Sequence, residues 1–223
     1  MRELGKGFGG QTVLRDVRAD VPSGGLTAVL GPSGSGKTTL LRLVAGLDLP
    51  DAGSIEMDGR VVSRPGWALE PHRRGVGFAF QRSALWPHMT VAQNVLFGVR
   101  DCSKSAARAR LSALLADLEL GGLERRYPDQ LSGGQARRVA LARALAPEPP
   151  VLLLDEPLTN LEAELKERLA ELVRRHIERT GATTLYVTHD GAEARRMGAT
   201  VLALTDGRLA PVAAGASRAE VGP

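Results

Sequence analysis

Two glycine-containing segments of this chain have residue types that can bind phosphate. The first reads Gly-Pro-Ser-Gly-Ser-Gly-Lys-Thr over residues 31–38, and the second reads Leu-Ser-Gly-Gly-Gln over residues 131–135. In the first, glycines let backbone N–H groups approach an anion closely, Lys37 can reach the outer phosphates, and Thr38 can offer its hydroxyl to Mg²⁺. This segment predicts a nucleoside triphosphate site, against the alternative of a chance glycine-rich turn. The residues predicted to contact the nucleotide there are Gly31, Ser33, Gly34, Ser35, Gly36, Lys37, Thr38 and Thr39.

Two adjacent carboxylates follow an apolar run at residues 151–154 that has the composition of a buried strand. An acid at the end of such a strand can hold the coordination shell of Mg²⁺, and the next acid can polarise an attacking water. We therefore assign Asp155 to the metal and Glu156 to the water. Strand ends also carry acids simply because they meet solvent, but the presence of Lys37 and Thr38 disfavours that simpler interpretation.

Alternating strands and helices must hold these groups in place. A strand at residues 25–30 and a helix at residues 37–45 flank the first glycine segment, which is the context that a phosphate-binding loop needs. Asp58-Gly59, between short strands at residues 54–57 and 60–62, predicts a hairpin turn. Further strands are predicted at residues 75–80, 151–154, 183–188 and 200–204, the last of these as the final strand. Helices are predicted at residues 90–97, 103–120, 135–146, 161–180 and 191–197.

This alternation predicts an α/β domain with a mainly parallel sheet covered on both faces. Residues 83–149 are rich in predicted helix and interrupt the alternation, so we predict an inserted helical subdomain there. The core is then expected at about residues 1–82 and 150–210. The length of 223 residues suits one domain. The Ala-, Gly- and Ser-rich residues 211–223 are predicted to fray.

Composition excludes several classes of protein. The formal charge of +4 comes without a long Lys/Arg run, so we expect no nucleic acid partner. Cys102 is the only cysteine, which excludes an internal disulfide and suits a reducing compartment. No apolar run approaches the roughly 20 residues of a membrane-spanning helix. The N-terminus lacks the apolar core of a signal peptide. We therefore expect a cytoplasmic protein that reaches a membrane only through a partner.

Taken in order, these motifs resemble those of the ATP-binding subunits of ABC transporters over essentially the whole chain. The resemblance implies a P-loop NTPase core with a mainly parallel sheet, a small antiparallel β subdomain and the inserted helical subdomain. It also implies that the nucleotide is ATP and that two subunits close around it, because the second glycine segment of one subunit meets the terminal phosphate held by the other. The residues assigned to that contact are Ser132, Gly133, Gly134 and Gln135. An ordinary helix N-cap at Ser132 is compatible with the same sequence.

Three further residues take roles from this resemblance. Phe8 lies where the family has an aromatic that stacks on adenine, with packing of an N-terminal strand as the alternative. Gln81 matches the glutamine that contacts Mg²⁺ or the attacking water and links the core to the helical subdomain. His189 matches the histidine that contacts the terminal phosphate and stabilises its developing charge. Glu162 stands where the family commonly has aspartate. In the family this loop lines the subunit interface, so the exchange is expected to affect coupling between the two nucleotide sites and not nucleotide binding.

The implied function is ATP hydrolysis that powers solute transport, expected to be import, through a separate membrane permease. Residues 83–91 resemble those of bacterial importers of small solutes such as thiamine, iron, polyamines, oxyanions or sugars, and Trp86 is expected either to anchor a permease helix or to pack in the core. The expected partners are a second ATP-binding subunit, permease subunits and a solute-binding protein. We expect a homodimer at the inner face of the membrane, with a pair of different ATPases left open. The C-terminal regulatory domain that several such importers carry is expected to be absent.

Alternative functions are an exporter ATPase, a soluble ABC ATPase acting outside transport, and a module that holds nucleotide without turnover. The last is disfavoured because Glu156 and His189 are both present.

Overall fold

The computed structural model describes residues 1–100 and 102–212, and the chain divides into two compact units. Among the described residues, the first unit contains residues 1–76 and 183–212, and the second contains residues 77–100 and 102–182. The predicted helical subdomain, residues 83–149, falls within the second unit, and its boundaries stay a prediction. The predicted fraying of residues 211–223 concerns residues that, apart from Pro211 and Val212, lie outside the described ones.

The elements, in chain order, are mixed helices and strands. The strands are β1 (Arg2–Phe8), β2 (Gln11–Val17), β3 (Leu26–Leu30), β4 (Ala52–Met57), β5 (Arg60–Arg64), β6 (Trp67–Ala68), β7 (Val76–Ala79), β8 (Val151–Asp155), β9 (Thr183–Thr188), β10 (Thr200–Thr205) and β11 (Arg208–Pro211). The α-helices are α1 (Lys37–Ala45), α2 (Val91–Leu96), α3 (Lys104–Asp117), α4 (Gly133–Leu145), α5 (Ala163–Thr180) and α6 (Gly191–Arg196). Each predicted element is present. The prediction that residues 200–204 form the final strand is wrong, because the chain turns at Asp206-Gly207 and continues as β11.

In the first unit, β3 lies between two parallel neighbours. Leu30 at the end of β3 pairs with Thr188 of β9 on one side and with Ala203 of β10 on the other. β11 then pairs antiparallel with β10. β3 and β9 are almost wholly buried, which explains why they read as continuous apolar runs. The pairing confirms the predicted mainly parallel sheet and brings the carboxyl ends of β3, β9 and β10 to one edge.

The first unit also contains an antiparallel sheet with the strand order β2-β1-β4-β5-β6. Its predicted hairpin is present, because β4 and β5 pair antiparallel around Asp58 and Gly59. Both turn residues have positive φ, +49° and +74°, as the favoured two-residue hairpin turns require. Gly9 and Gly10, at +55° and +83°, make the corresponding turn between β1 and β2. The predicted small antiparallel β subdomain is thereby confirmed.

A buried arginine ties this antiparallel sheet to the helix that follows the phosphate loop. The guanidinium of Arg74 donates to the carbonyls of Leu43 and Val44 in the last turn of α1, and to the Val62 carbonyl and the Ser63 hydroxyl on β5. Burial lowers the pKa of Arg74. A cation at a helix C-terminus is favourable because the helix dipole is negative there. Arg74 therefore fixes the far end of α1 against β5.

In the second unit, α2 and α3 pack against α4. Polar side chains cap the starts of α2 and α3. The Thr90 hydroxyl accepts from the N–H of Gln93, and the Ser103 hydroxyl accepts from the N–H of Ala106. Across the described ranges, no helix is long and apolar enough to cross a lipid bilayer.

His176 on α5 is a buried titratable group outside the predicted site, as expected for a histidine with a structural role. Burial, and to a smaller extent the charge of Arg179, lower its pKa to about 4, against the opposing effect of the Glu148 charge. Its Nε2 atom has no hydrogen-bond partner among the described residues. The uncharged ring is therefore the form that this fold accommodates.

Because the folded pKa of about 4 lies below the ordinary 6.5, the unfolded chain takes up this proton first as the pH falls. The contribution of His176 to stability is complete above about pH 6.5 and is lost between about pH 6.5 and about pH 4. From about pH 7 to about pH 5, the wild type should lose about 2 kcal/mol more free energy of unfolding than His176→Leu. Urea titrations at both pH values measure this difference. His72→Leu, which changes an exposed histidine, serves as the control, and equal losses in wild type and His176→Leu would contradict the expectation.

Candidate functional site

The glycine segment of residues 31–38 connects the end of β3 to the start of α1, as predicted. A side chain does not fit at Gly31, where a Cβ atom would lie 2.5 Å from the carbonyl oxygen of Leu204 on β10. Gly36 has φ +102°, and a Cβ atom there would lie 3.0 Å from the side chains of Val13 and Leu14 on β2. This close packing against β10 and β2 fixes the backbone at the start of α1, where N–H groups and the helix dipole can bind an anion.

Lys37 holds its ammonium group over this loop. The residue is only 6% exposed, and its Nζ donates to the carbonyl oxygens of Gly31 at 2.7 Å and Pro32 at 2.8 Å. A buried charge requires such polar partners. Thr38 and Thr39 follow in the first turn of α1. The structure therefore gathers the predicted phosphate ligands around one loop.

The pairing of β3 with β9 brings His189 to the same edge of the sheet. Leu30 and Thr188 are paired residues on adjacent parallel strands, and Gly31 and His189 are the next residues along each strand. Asp190 caps α6 through its carboxylate, which accepts two N–H groups from the first turn at 3.0 and 3.1 Å. The exposed imidazole thus follows a strand end beside the phosphate loop.

A cleft of about 620 Å³ opens beside the phosphate loop within the first unit. Phe8 does not belong to its lining. The Phe8 ring is 50% exposed and lies 5.0 Å from Lys6 Nζ, so the stacking role assigned to it stays a prediction. Outside the loop itself, the lining residues are Gln11, Thr12, Val13, Arg15, Thr205, Asp206 and Gly207.

In the second unit, the predicted pair of acids lies at the end of β8. Asp155 is the last residue of the strand and is 2% exposed. Glu156 follows with φ +47°, a left-handed conformation that is uncommon for a residue with a side chain. The Thr159 N–H donates to the Glu156 carbonyl at 3.3 Å and closes a turn over these residues. Backbone strain of this kind, which costs about 1–3 kcal/mol, is concentrated at functional sites.

The second glycine segment forms the start of α4. The Ser132 hydroxyl accepts from the Gln135 N–H at 3.2 Å, and the Gln135 side-chain oxygen accepts from the Ser132 N–H at 2.9 Å. This capping box supports the N-cap interpretation of Ser132, and it shows that the Gln135 amide oxygen is engaged within the helix start. Gly133 and Gly134 supply N–H groups of the first turn, which have no acceptor within a helix. The two interpretations of this segment are therefore compatible.

Gln81 comes two residues after β7, and its carbonyl accepts from the Arg137 guanidinium at 3.2 Å. A second cleft, of about 480 Å³, is lined by residues of three segments, namely Gln81–Ser83, the start of α4, and Thr159-Asn160. Within the second unit, the structure thus brings together the loop that carries Gln81, the start of α4 and the turn that follows Glu156. Glu162 occupies the N-cap of α5 without a side-chain cap hydrogen bond.

The sequence does not predict several residues at these sites. The β2 residues that line the first cleft are not identifiable without the strand pairing that brings β2 to the loop. Arg137 is one of three arginines on α4, with Arg138 and Arg143, and residue type alone does not distinguish them. Thr159 carries a usable signal, because a hydroxyl three residues after Glu156 can hydrogen-bond back to it.

The predicted Mg²⁺ ligands, Thr38, Gln81 and Asp155, offer a hydroxyl, an amide oxygen and one carboxylate. Oxygen donors of this kind are what Mg²⁺ accepts when phosphate and water complete its shell. In the part of the chain that the structure describes, no group of three or more His, Cys, Asp or Glu side chains could hold a metal ion. The predicted ligand set has only one acid, so phosphate and water would have to supply the remaining oxygen ligands.

Comparison with known proteins places this site in a family. Residues 14–159 match the family model described as ABC transporter. The chain is 48% identical over 209 residues to the sulfate/thiosulfate import ATP-binding protein CysA of Mycobacterium bovis, a match that covers 93% of this chain and 58% of that protein. It is 50% identical over 212 residues to the Fe(3+) ions import ATP-binding protein FbpC 1 of Rhodococcus jostii, covering 93% and 59%.

A solved structure agrees with these relatives. The dimeric structure of MJ0796, a bacterial ABC transporter cassette, has a TM-score of 0.83 and 33% identity, covering 93% of this chain and 94% of that one. The chain belongs to the ABC transporter family, and its fold is that of the ATP-binding cassette. It spans about three-fifths of the length of the curated relatives it matches.

Gly31→Ala tests the packing of the phosphate loop. The added Cβ would meet a backbone oxygen that cannot rotate away, so we expect a loss of about 1–3 kcal/mol in the free energy of unfolding. For a chain of this size, each kcal/mol lowers Tm by about 2–4 °C in a thermal unfolding experiment. Gly121→Ala is the matched control, since a Cβ there would meet nothing within 4 Å. Equal Tm values for the two variants would show that the loop is not packed as described.

Proposed function

We propose that this chain is the ATP-binding and ATP-hydrolysing subunit of an ABC importer, driving solute transport through a separate membrane permease. The observation that carries the proposal is that one chain holds both a phosphate loop with a buried lysine, Lys37, and a capped helix start at residues 132–135. The first arrangement suits the binding of a triphosphate. The second provides N–H groups with which one copy of the chain could contact the triphosphate bound by another copy.

The phosphate loop is suited to ATP because it concentrates donors around a small volume. The N–H groups at the start of α1 and the Lys37 ammonium supply positive potential, and the hydroxyls of Thr38 and Thr39 stand at the same helix start. Mg²⁺ would be held by Thr38, Gln81 and Asp155, and when bound it would neutralise charge on the phosphates. The cleft beside the loop offers room for the rest of the nucleotide.

Two further residues, Glu156 and His189, have roles in the proposed hydrolysis. Glu156 would orient and polarise the attacking water, and His189 would contact the terminal phosphate and stabilise charge that develops on it. Such positioning and electrostatic effects dominate phosphoryl transfer. The MJ0796 cassette supports ATP hydrolysis, because one of its structures is described as a post-hydrolysis state bound to ADP and Pi and matches this chain with a TM-score of 0.83.

A second subunit would complete the site. We infer a homodimer in which Ser132, Gly133 and Gly134 of one copy donate to the terminal phosphate bound by the other. The capped start of α4 leaves these groups at a helix N-terminus, which favours an anion. The dimeric structure of the MJ0796 cassette supports the pairing of two copies. Hydrolysis would remove the bridging contact, so the pair could reopen.

Transport requires partners at the membrane. The named relatives are import ATP-binding proteins for sulfate/thiosulfate and for Fe(3+) ions, which supports a membrane permease as partner. A location at the cytoplasmic face of the membrane and a solute-binding protein follow from the same proposal. Trp86 is a candidate contact for a permease helix. Its ring lies 4.2 Å from that of Phe97, which is 54% exposed, and the Arg143 guanidinium lies 4.7 Å from its centre. This partly exposed aromatic pair suits both alternatives raised for Trp86, packing and partner contact.

Lys37→Ala should weaken ATP binding by tenfold or more, because it removes the ammonium held over the loop. Titration with a fluorescent ATP analogue measures the dissociation constant. Lys104→Ala, which removes an exposed lysine at the start of α3, should leave the constant unchanged. Equal affinity in wild type and Lys37→Ala would remove Lys37 from its assigned role.

Glu156→Gln should bind ATP with near-normal affinity and hydrolyse it at least ~10²-fold more slowly, on the scale of losing one key catalytic group. Phosphate release, measured with and without the co-purified membrane subunits, gives the rate. Glu164→Gln, at an exposed position of α5, is the matched control. Near-normal turnover in Glu156→Gln would sink the assignment of the catalytic carboxylate.

A further inference from the structure

The Glu156 carboxylate has a neighbour that the proposed function does not use. The Thr159 hydroxyl donates to Glu156 Oε2 at 3.3 Å, while the Thr159 N–H donates to the Glu156 carbonyl at the same distance. One residue thereby contacts both the backbone and the side chain of the assigned catalytic acid. At 3.3 Å the hydroxyl contact is long, as catalytic hydrogen bonds often are before the substrate complex forms.

Thr159 is itself held by an arginine from α4. The Arg137 guanidinium donates to the Thr159 carbonyl at 2.5 Å and to the Gln81 carbonyl at 3.2 Å. A planar guanidinium can serve two carbonyls on different segments at once, which the single ammonium of a lysine cannot do with the same geometry. Arg137 thereby connects the turn after Glu156 to the loop that carries Gln81.

The other two arginines of α4 show that this connection is particular to Arg137. Arg138 donates to the carbonyl of Leu118 at the end of α3. Arg143 donates to the carbonyls of Ser83 and Ala84. Only Arg137, of these three, reaches the turn that carries Glu156. The left-handed backbone at Glu156 and at Asn160, φ +47° and +60°, needs such outside support to persist.

We propose that Thr159 and Arg137 are positioning residues for the Glu156 carboxylate, with the Thr159 hydroxyl orienting the carboxylate and Arg137 fixing Thr159. The inference rests on the proposed function, because it assigns the orientation of Glu156 to hydrolysis. Arg137 also joins this orientation to Gln81 and to α4, whose first turn carries the segment expected to meet the other subunit. Formation of the subunit contact would then be transmitted to the group that handles the water.

Thr159→Val keeps the shape of the side chain and removes its hydroxyl. We expect kcat for ATP hydrolysis to fall roughly tenfold, as for loss of a hydrogen bond to a charged group, with KM for ATP unchanged within about twofold. Thr159→Ser should retain most of the wild-type kcat because it keeps the hydroxyl. A kcat for Thr159→Val within about twofold of wild type, or an equal fall in Thr159→Ser, would overturn the role of the hydroxyl.

The same substitution in a Glu156→Gln background distinguishes positioning from a general structural effect. If Thr159 acts through Glu156, Thr159→Val should add no further loss to the residual rate of Glu156→Gln. An undiminished tenfold loss in that background would mean that Thr159 acts in another way. Thermal unfolding of each variant should give Tm values close to those of its parent.

Arg137→Lys and Arg137→Gln test the second step independently of Thr159. Both should lower kcat roughly tenfold at an unchanged KM, and the loss should shrink when Thr159→Val is already present. Arg175→Gln, at an exposed position on α5, is the control and should match wild type. Wild-type kcat in both Arg137 variants would overturn the inference while leaving the proposed function standing. A wild-type chain that neither binds nor hydrolyses ATP, alone or with its membrane subunits, would instead overturn the proposed function.

Discussion

The buried ammonium of Lys37, held by two carbonyls of the loop that precedes it, is the interaction on which the first unit depends. It remains in place only if the loop keeps its path. Gly31 is pressed against a backbone oxygen of β10, Gly36 has a left-handed conformation against β2, and Arg74 fixes the far end of α1. Each of these contacts is structural, yet together they present N–H groups and a positive charge at one helix start. Parallel pairing of β3 with β9 adds His189 at the same edge.

In the second unit, hydrogen bonds hold the loops that carry the assigned residues. Glu156, the assigned catalytic acid, lies in a strained turn directly after a buried strand. Hydrogen bonds from α4 support this turn and the loop that carries Gln81. Arg143 extends this support to the carbonyls of Ser83 and Ala84. A helix whose first turn is expected to sense another subunit thus also supports segments assigned to hydrolysis.

Local signals in the sequence were sufficient for the regular elements. Apolar runs identified β3, β8 and β9, and Ser132 was recognisable as a helix N-cap, because both signals depend on nearest neighbours. The Asp58-Gly59 turn was predictable for the same reason. Pairing partners were not. β2 lines the cleft beside the phosphate loop, which depends on long-range contacts that leave no local pattern. β11 is different, because Asp206-Gly207 joins it to β10 through the same kind of Asp-Gly turn as Asp58-Gly59, and this local signal was overlooked. Arg137 illustrates the same limit, since its role comes from where the fold directs it.

The proposed function requires that one triphosphate is held between two copies of this chain. Sedimentation velocity of Glu156→Gln with ATP and Mg²⁺ tests it most directly, because blocked turnover should preserve the bridging phosphate. A shift from monomer to dimer that requires ATP, and that is lost when Ser132 is replaced by a bulky acidic residue, is the predicted result. A strictly monomeric protein under these conditions, even alongside its cognate membrane subunits, would contradict it.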